Sequence, residues 1–504
     1  MMPWWGLAIL VFGVNFAFWG TVGLTRLFDQ LTISRWRSRK RAAYQGNVVA
    51  LRYDPAGRRA RQIHLTVDDV AVLIPAHNEG AVIEDSIRAI TQFVPRKNVH
   101  VVSDGSTDDT FEVALRCGVK AIRTRQNVGK AGALRDAIER FKLVQRFPVV
   151  MLLDADTRVQ PGYFAAALPL FDSPKVAAVA GCVRTDTRRM LSPVGNLLTG
   201  HRMRIYAINQ RALKFGQTSR HLNATPIVPG FASLYRTAVL PLIDINPVGL
   251  VIEDFNMTFE VYQNRLGKVG FTLRAVAVTQ DPDNFHDYIR QTRRWALGLW
   301  QTVRRHPPRL NLFTAMLALT LTELITSSLL FVILPLIAAV LLVPELASSA
   351  VSWPGFSSVY AVVSTHMTLD RIFYGVVVPD LAMTCVVAIL ERRPRLLLAG
   401  PFFPFLRVLD SAIGLWAIPL AWLASSNGVW KSPTRRATPG KHRENAPRPV
   451  PAAAIPEVIG AAYEPEPAAA ALEQAAGYEQ AAGYQAGYEQ AAGYEEAESH
   501  HASG

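Results

Sequence analysis

The sequence predicts an α/β domain inserted between membrane-spanning α-helices. Short apolar runs alternate with helical stretches between residues 65 and 284, and uncharged stretches long enough to cross a bilayer lie on both sides of that region. Hydrophobic residues make up 50% of the 504 residues, and the mean hydropathy is +0.15. These values are high for a purely soluble protein and low for one built only of membrane helices.

Residues 1–28 are predicted to form a transmembrane anchor whose N-terminus lies outside. Residues 4–24 carry no charge, no positive residue precedes them and no A-x-A site follows them, so a cleaved signal peptide fits poorly. Residues 29–64 are predicted to be a basic juxtamembrane segment, since residues 26–61 contain ten Lys/Arg and two acids. This charge is typical of a cytoplasmic flank that meets anionic lipid.

The charge and the cysteines exclude some classes of protein. The net charge is +13, and the three cysteines are Cys117, Cys182 and Cys385. Much of the positive charge lies beside apolar segments, so membrane lipid is the expected anionic partner and nucleic acid is not. The cysteine spacing matches neither a metal site nor a disulfide framework, and it favours a reducing compartment.

Residues 65–284 are predicted to form a Rossmann-like domain with a mainly parallel sheet. The apolar runs VAVLIPAHNE, VHVVSDGS and VVMLLDAD each end in polar residues. Ligands of open parallel sheets bind where the strands end. These polar residues are therefore expected to face one crevice.

Two residues near the predicted crevice have the chemistry to contact a nucleotide diphosphate. Asp104 precedes Gly105, where the backbone can turn tightly, and its carboxylate could accept a hydrogen bond from a base N–H; an ordinary turn aspartate is the alternative. Lys130 lies where the glycines of NVGKAGAL begin a helix, and it could neutralise phosphate there; a solvated lysine is the alternative. Asp108 is expected to cap the helix that follows it.

Two pairs of acids follow apolar runs. Asp154 and Asp156 end VVMLLDAD, and carboxylates at this spacing can hold Mg²⁺ or Mn²⁺ against phosphate oxygens. Glu253 and Asp254 follow the apolar letters LVI, and Asp254 could take a proton from a hydroxyl as a general base. Two adjacent surface acids are the alternative for the second pair.

Residues 285–312 are predicted to form an amphipathic interface helix that carries the sequence QTRRW. Apolar residues recur there near helical spacing, with arginines between them: Ile289, Trp295, Leu299 and Val303. The forked guanidinium of Arg294 suits a diphosphate, and the ring face of Trp295, close to Gln291, suits a sugar. A basic helix that only contacts lipid is the alternative.

Residues 313–430 are predicted to be a C-terminal transmembrane region, with spans at 313–343 and 372–390. The loop at 344–370 has no Lys or Arg and is expected outside. Residues 396–424 are either an interface helix plus a span or a re-entrant hairpin. The tail, residues 431–504, is Pro/Ala/Glu-rich, repeats the unit EQAAGY with variation, and is predicted to be disordered and cytoplasmic.

Taken in order, the motifs IPAHNE, SDGS, GKA, DAD, ED and QTRRW resemble those of the processive family-2 glycosyltransferases. That group holds the bacterial cellulose, chitin, hyaluronan and poly-N-acetylglucosamine synthases. The resemblance covers about residues 70–305 and, more loosely, the later apolar stretches. It implies a GT-A fold, a divalent metal (Mg²⁺ or Mn²⁺), a UDP-sugar donor and inversion at the anomeric carbon.

The resemblance also implies roles for individual residues. The residues implied to contact the nucleotide and the diphosphate are Pro75, Ala76, Glu79, Asp104, Lys130 and Asp154. Asp156 is implied to bind the metal, and Asp254, with Glu253 beside it, to act as the general base. The residues implied to contact the diphosphate and the acceptor terminus are Gln291, Arg294 and Trp295. The loop around Gly230 and Ser233 corresponds to the acceptor side.

The chain departs from the family pattern in three ways. Ile252 stands where many relatives have threonine, one N-terminal span is expected where many have two, and the tail has no counterpart. These departures leave the polymer open, with UDP-N-acetylglucosamine and UDP-glucose as the leading donors. A homo-oligomer or an accessory subunit is compatible with the sequence.

The expected function is processive polymerisation of a sugar at the cytoplasmic face of the plasma membrane, with export of the polysaccharide as a hypothesis. One alternative is an enzyme that adds a single sugar to a polyprenyl phosphate. The other is a non-catalytic membrane subunit or transporter, which would have no reason to retain these carboxylates.

Overall fold

The computed structural model describes residues 3–41, 64–187 and 191–423 of the chain, with the backbone alone for residues 32–41 and Ala350. Most of the predicted juxtamembrane segment and the whole predicted tail, residues 431–504, lie outside the described residues. In the predicted α/β region the first strand begins at Val70 and the last ends at Thr279.

The apolar runs of the α/β region form one mixed sheet. Among the described residues its strands are β1 (Val70–Ala76), β2 (Val99–Asp104), β3 (Lys120–Thr124), β4 (Val149–Leu153), β5 (Arg158–Val159), β6 (Val176–Thr185), β7 (Ala232–Arg236) and β8 (Lys268–Thr279). They lie in the order β3-β2-β1-β4-β7-β6-β8-β5. Strand β1 pairs in parallel with β2 and β4, whereas β7 is antiparallel to β4 and β6. The predicted parallel core is thus extended by a mixed half.

The helices surround this sheet and continue beyond it. In chain order they are α1 (Trp4–Phe12), α2 (Val14–Arg41), α3 (Ile83–Ile90), α4 (Thr110–Arg116), α5 (Gly129–Arg140), α6 (Leu143–Arg146), α7 (Tyr163–Ala167), α8 (Pro193–Ile208), α9 (Phe215–Gln217), α10 (Glu253–Gln263), α11 (Phe285–Arg305), α12 (Leu312–Leu346), α13 (Pro354–His366), α14 (Leu369–Ile372), α15 (Val378–Leu390), α16 (Leu396–Ala399) and α17 (Phe403–Leu423). The N-cap of α4 is Asp109, without a side-chain cap hydrogen bond, so the predicted cap at Asp108 is wrong by one residue. The carboxylate of Asp108 instead accepts a hydrogen bond of 3.1 Å from the N–H of Thr110.

Both faces of the sheet are buried. Because side chains alternate along a strand, Val72 and Ile74 of β1 pack with α3, α4 and α7, while Ala71 and Leu73 pack with α5 and α10. A strand covered on both faces is apolar throughout, which explains why VAVLIPA is a continuous apolar run. The strand ends, where the polar letters begin, are thereby left for chemistry.

The predicted N-terminal anchor is not one continuous helix. Helices α1 and α2 are separated by Gly13, whose φ is +83°, and they bend by 72°. A carboxylate oxygen of Glu323 in α12 accepts a hydrogen bond of 2.8 Å from the N–H of Asn15, at the start of α2. A Cβ on residue 13 would lie 2.5 Å from Glu323 Oε2, so the break depends on glycine.

Three described helical segments in the C-terminal part are long and apolar enough to span a membrane: Leu312–Leu346, Leu369–Leu390 and Leu396–Leu423. The first two match the predicted spans. The third, which the sequence left open, is one helical run with a 3₁₀ turn at Gly400–Phe402. Helix α11 packs along it, because Trp300 contacts Ala417 and Ala421. The predicted interface helix therefore lies against protein on at least one side.

Candidate active site

A buried lysine lies among the predicted carboxylates at the carboxyl end of β4. Lys130 Nζ is 2.8 Å from Asp154 Oδ1 and 3.1 Å from Glu253 Oε1. Burial alone would lower the pKa of Lys130, but the negative charges of Asp154, Glu253 and Asp254 raise it well above its usual 10.5. The ammonium is therefore charged at neutral pH, and it draws residues of three separate elements together.

Asp254, the predicted base, lies in the first turn of α10. Its Oδ2 accepts a hydrogen bond of 2.9 Å from the N–H of Gly230. Burial, followed by the charge of Glu253, raises the pKa of Asp254 from 3.8 to about 7. A Cβ on residue 230 would lie 2.5 Å from Asp254 Oδ1 and 3.1 Å from Lys130 Nζ, so any side chain here would displace these two groups. A carboxylate with this pKa suits general base catalysis near neutral pH.

The two acids of the Asp-x-Asp motif are held differently. Asp156 is buried, and its Oδ1 accepts hydrogen bonds from the hydroxyls of Thr157 and Thr279, at 3.2 and 3.3 Å. Burial, with a contribution from the charge of Asp156, raises the pKa of Asp154. A cation between two such carboxylates would relieve this repulsion.

The donor set fits a divalent ion that arrives with phosphate. Among the described residues no cluster of three or more His, Cys, Asp or Glu side chains could hold a metal by itself. Magnesium commonly takes one or two protein carboxylates and completes its coordination with water and substrate phosphates. Asp154 and Asp156 meet that smaller requirement.

Asp104 closes β2 and is fully buried. Its Oδ1 accepts hydrogen bonds from the N–H of Val128 (2.9 Å) and the hydroxyl of Thr124 (2.8 Å). Its Oδ2 is buried and has no hydrogen-bond partner among the described residues, and burial raises the pKa of this carboxyl. Asp104 thus braces the loop before α5 with one oxygen and leaves the other for an N–H donor. Gly105 follows with φ +55°, as the expected tight turn requires.

The IPAHNE motif forms the wall next to Asp104. Three of its predicted residues lie at the end of β1 or just past it: Pro75, Ala76 and Glu79. Glu79 is buried, and its backbone N–H donates to the hydroxyl of Thr110 at 2.9 Å. His77 was not predicted as a site residue, yet its Nδ1 lies 2.6 Å from the backbone oxygen of Asp104. The position of His77 inside the IPAHNE motif is the sequence feature that could have identified it as a site residue.

Helix α11 lies directly against the segment that carries the acids. A Cβ on Gly298 would be 2.9 Å from the Cβ of Ile252, and Gln301 Oε1 accepts a hydrogen bond of 3.0 Å from the N–H of Val251. Burial would raise the pKa of Glu253, but the charges of Lys130 and Arg294 contribute to a net lowering. The positive charge of Arg294 thus acts on the carboxylate of Glu253.

The remaining two residues of QTRRW have different surroundings. Gln291 Oε1 is buried and has no hydrogen-bond partner among the described residues. The guanidinium of Arg202 lies 4.5 Å from the ring centre of Trp295 and 4.3 Å from that of Tyr288, and it donates to the hydroxyl of Thr292. Arg202, on α8, was not predicted. The surrounding sequence HRMRIY is typical of an ordinary polar helix face, so it does not distinguish Arg202.

Helix α8 also binds the apolar helices through buried charges. Arg204 donates to both oxygens of Asp380 in α15, in one case at 2.7 Å, and Arg407 of α17 donates to the same carboxylate at 2.9 Å. Asp410 of α17 lies 3.0 Å from Nε2 of His201. These contacts connect α8, whose Arg202 lies against the ring of Trp295, to the apolar helices α15 and α17.

Replacing Asp380 by alanine is expected to lower the free energy of unfolding by about 3–5 kcal/mol. The change leaves the buried guanidinium of Arg204 and the partly buried guanidinium of Arg407 without their shared carboxylate. Thermal unfolding of the purified chain in detergent measures this. Asp370→Ala, an exposed aspartate on the neighbouring α14, serves as the control. Equal unfolding temperatures for the two variants would contradict the structural role of Asp380.

The structure thus brings Lys130, Asp154, Glu253 and Asp254 into one cluster, with the positive charge of Arg294 acting on Glu253. Asp104 and the end of β1 form a neighbouring wall around the start of α5. The roles assigned to these residues, and to Gln291 and Trp295, stay predictions.

Comparison with known families matches residues 68–298 to the family described as "Glycosyltransferase like family 2". A poly-beta-1,6-N-acetyl-D-glucosamine synthase of Staphylococcus epidermidis is 23% identical over 257 residues, which cover 48% of this chain and 59% of that relative. The probable glycosyltransferase YdaM of Bacillus subtilis is 27% identical over 242 residues, covering 45% and 54%. The chain therefore spans less than two thirds of the length of these relatives.

Among solved structures, the mannosyltransferase PcManGT from Pyrobaculum calidifontis, in complex with GDP-Man and Mn²⁺, superposes with a TM-score of 0.42 and 16% identity. The superposition covers 79% of this chain and 99% of that one. The family-level resemblance inferred from the motifs is confirmed by the match to residues 68–298. Residues 68–298, which contain the mixed sheet and the acids at its strand ends, therefore match a glycosyltransferase family 2 domain with a GT-A-like fold.

Proposed function

We propose that the chain is a membrane-bound, inverting and processive glycosyltransferase of the cytoplasmic face of the plasma membrane. Its donor would be UDP-N-acetylglucosamine or UDP-glucose, and its product a polysaccharide that it also exports. The observation that carries this proposal is the cluster of Asp254, Lys130 and Asp154 at the strand ends of a family 2 domain. The synthase among the relatives supports the choice of a polymer.

The proposed reaction uses the cluster for acid–base and charge chemistry. The carboxylate of Asp254, with a pKa of about 7, accepts the proton of the acceptor hydroxyl. That hydroxyl oxygen bonds to the anomeric carbon from the side opposite the diphosphate, the bond between that carbon and the diphosphate oxygen breaks, and the configuration inverts. Lys130 and Arg294 stabilise the negative charge on the leaving diphosphate.

The other predicted residues hold the substrates. Asp154 and Asp156 would hold Mg²⁺ or Mn²⁺, which supplies further positive charge to the diphosphate. The buried Oδ2 of Asp104 is suited to a base N–H. Trp295 would hold the sugar at the acceptor terminus by stacking. Gln291 Oε1, buried on the same helix, would accept a hydrogen bond from a substrate hydroxyl.

Export is proposed because α11 lies against α17, and α8 is ion-paired to α15 and hydrogen-bonded to α17. The site for the acceptor terminus would thus adjoin helices suited to cross the bilayer. Enzyme reconstituted in vesicles tests this point. Polymer found wholly on the catalytic side would refute the coupling of synthesis to export.

Release of nucleotide diphosphate by the purified, detergent-solubilised protein tests the reaction itself. We expect metal-dependent release with one donor of a panel of nucleotide sugars and a polymeric product by size analysis. A product extended by one sugar, formed on a polyprenyl phosphate, would instead identify the single-addition enzyme. No turnover with any donor or lipid-phosphate acceptor would favour a non-catalytic membrane protein.

Replacing Arg202 by methionine is expected to lower turnover about tenfold at saturating donor while leaving the KM for the donor unchanged. The change removes a desolvated cation from between the rings of Tyr288 and Trp295, an interaction worth about 2 kcal/mol. Initial rates at varied donor and acceptor concentrations measure the effect. Arg135→Met, at an exposed arginine of α5, is the control. A change confined to the KM for the donor would contradict the proposed role of Trp295 in binding the acceptor.

A further inference from the structure

A second cleft lies away from the carboxylate cluster, between the end of β6, helix α8 and the turn after α15. Its volume is about 510 Å³. The described residues that line it include none of the predicted donor, base or acceptor residues. Its charged lining consists of four arginines and two acids: Arg158, Arg184, Arg211, Arg393, Asp186 and Glu391.

The two acids do not neutralise the four arginines. Asp186 is paired with Arg158, and both side chains are buried. Glu391 Oε1 is 2.8 Å from Arg211 Nη2, whereas its Oε2 is 4.0 Å from Arg184 Nε, too far for a hydrogen bond. The cleft therefore keeps a net positive charge, and the side chain of Arg184 is 52% exposed.

Two further arginines of the cleft, Arg211 and Arg393, lie in irregular segments of the backbone. Arg211 belongs to the π-helical turn Asn209–Lys214, which continues α8. Such turns cost stability and are frequently found at functional sites. Arg393 follows α15 and donates to the hydroxyl of Thr187, so the turn after α15 closes on the end of β6. Three guanidiniums, of Arg184, Arg211 and Arg393, thus approach one cleft from three segments.

The size and lining of the cleft suit a small anion with an organic part. Sites for small molecules typically have volumes of about 300–1,000 Å³. Apolar side chains lie beside the arginines, among them Phe93, Met203 and Leu273. A guanidinium presents a planar fork of N–H donors that matches phosphate oxygens. The cleft also lies next to α15, which is apolar enough to be part of a span.

We propose that this cleft binds a phosphorylated anion, whose phosphate is held by Arg184, Arg211 and Arg393. The anion is either a free phosphorylated compound or the headgroup of an anionic phospholipid, since the two present the same phosphate oxygens. The site is distinct from the proposed active site, because its lining contains none of the residues of the carboxylate cluster.

Binding to the full chain in detergent, with radiolabelled inorganic pyrophosphate as the probe, tests the first source. Pyrophosphate is expected to occupy two sites in the unaltered protein, the donor site and the cleft. In the variant Arg184→Ala/Arg211→Ala, one of the two is expected to weaken at least tenfold. The matched control is Arg116→Ala/Arg123→Ala, two exposed arginines that also pair with acids. It should keep both sites.

Native mass spectrometry of the protein released from nanodiscs tests the second source. Retained phosphatidylglycerol, but not phosphatidylcholine, is expected to be lost in the same double variant. If the double variant loses only pyrophosphate binding, the natural anion is a free phosphorylated compound. If it loses only the retained phosphatidylglycerol, the natural anion is a lipid headgroup. Arg184→Glu, at the half-exposed arginine, replaces the double variant if that one does not fold. If neither probe distinguishes the variants from the control, the proposal is wrong.

Discussion

Replacing Asp254 by asparagine is expected to lower turnover by about 10²–10⁴-fold, because the variant keeps the shape of the side chain but cannot accept the proton of the acceptor hydroxyl. The amide can still meet the N–H of Gly230 through its oxygen, so the fold around the site is preserved. Release of nucleotide diphosphate at saturating donor and acceptor measures the effect. Asp136→Asn, on the surface of α5, controls for the loss of one negative charge.

The pH dependence follows from the pKa of Asp254, which burial raises from 3.8 to about 7. Below pH 7 the carboxyl is protonated and cannot act as a base, so turnover should fall about tenfold per pH unit and level off above about pH 8. The folded state binds this proton more tightly than the unfolded state. The contribution of Asp254 to stability is therefore present below about pH 4 and is lost as the pH rises through 7.

A loss of catalysis in the Asp254→Asn variant can be distinguished from a loss of folding at pH 8. At pH 8 the unaltered protein contains an ionised, buried Asp254, whereas the asparagine variant has a neutral group there. The variant is therefore expected to unfold at a temperature no lower than the unaltered protein. An inactive variant that unfolds at a much lower temperature would point to a structural role. A variant that keeps full turnover would remove Asp254 from the mechanism.

Replacing Lys130 by methionine is expected to reduce kcat/KM at least 100-fold and also to destabilise the fold by about 3–5 kcal/mol. Methionine has a similar length, but it leaves Asp154, Glu253 and Asp254 without the cation that holds them together. The same ammonium would no longer be present to stabilise the leaving diphosphate. Steady-state rates and thermal unfolding at pH 8 measure the two effects.

Two further variants define what the lysine contributes. Lys130→Arg keeps the positive charge, so it should recover most of the stability even where the geometry of transfer is disturbed. Lys175→Met, at an exposed lysine, should change neither quantity. If Lys130→Met has the unfolding temperature and donor KM of the unaltered protein, the cluster is not organised by this residue. Asp254→Asn is expected to leave the stability unchanged or higher, and Lys130→Met is expected to lower it. Measuring both variants therefore tests the charge interactions within the cluster.

Local sequence was sufficient to predict three of the strands, β1, β2 and β4, and the polar residues at their ends. A run such as VVMLLDAD combines a buried strand with polar residues at its carboxyl edge, and both features are local. Lys130 was also predicted, from the glycines around it, but as a phosphate ligand. Its pairing with Glu253 depends on α10, which is more than 100 residues away along the chain. Local patterns carry no information about such a contact.

Other features escaped prediction for physical reasons that can be named. Arg202 lies in a helix whose alternating apolar and basic letters are ordinary, and its significance comes from rings on α11. The break at Gly13 was missed because a single glycine in an apolar run is tolerated in a continuous helix. At this break the N–H of Asn15 donates to Glu323, an acid in the middle of an apolar stretch. Such an acid indicates a buried partner without identifying it.

The ion pairs of α8 have a consequence for the modularity of the chain. Cutting the chain before α12 to obtain a soluble catalytic fragment would remove Asp380 and Asp410, and so strand the buried side chains of Arg204 and His201. The fragment would retain every predicted catalytic residue, yet α8, whose Arg202 contacts Trp295, would face solvent with the guanidinium of Arg204 unpaired. Likewise, grafting this domain onto foreign helices would require those carboxylates to be transplanted with it. The catalytic unit is therefore larger than its family domain.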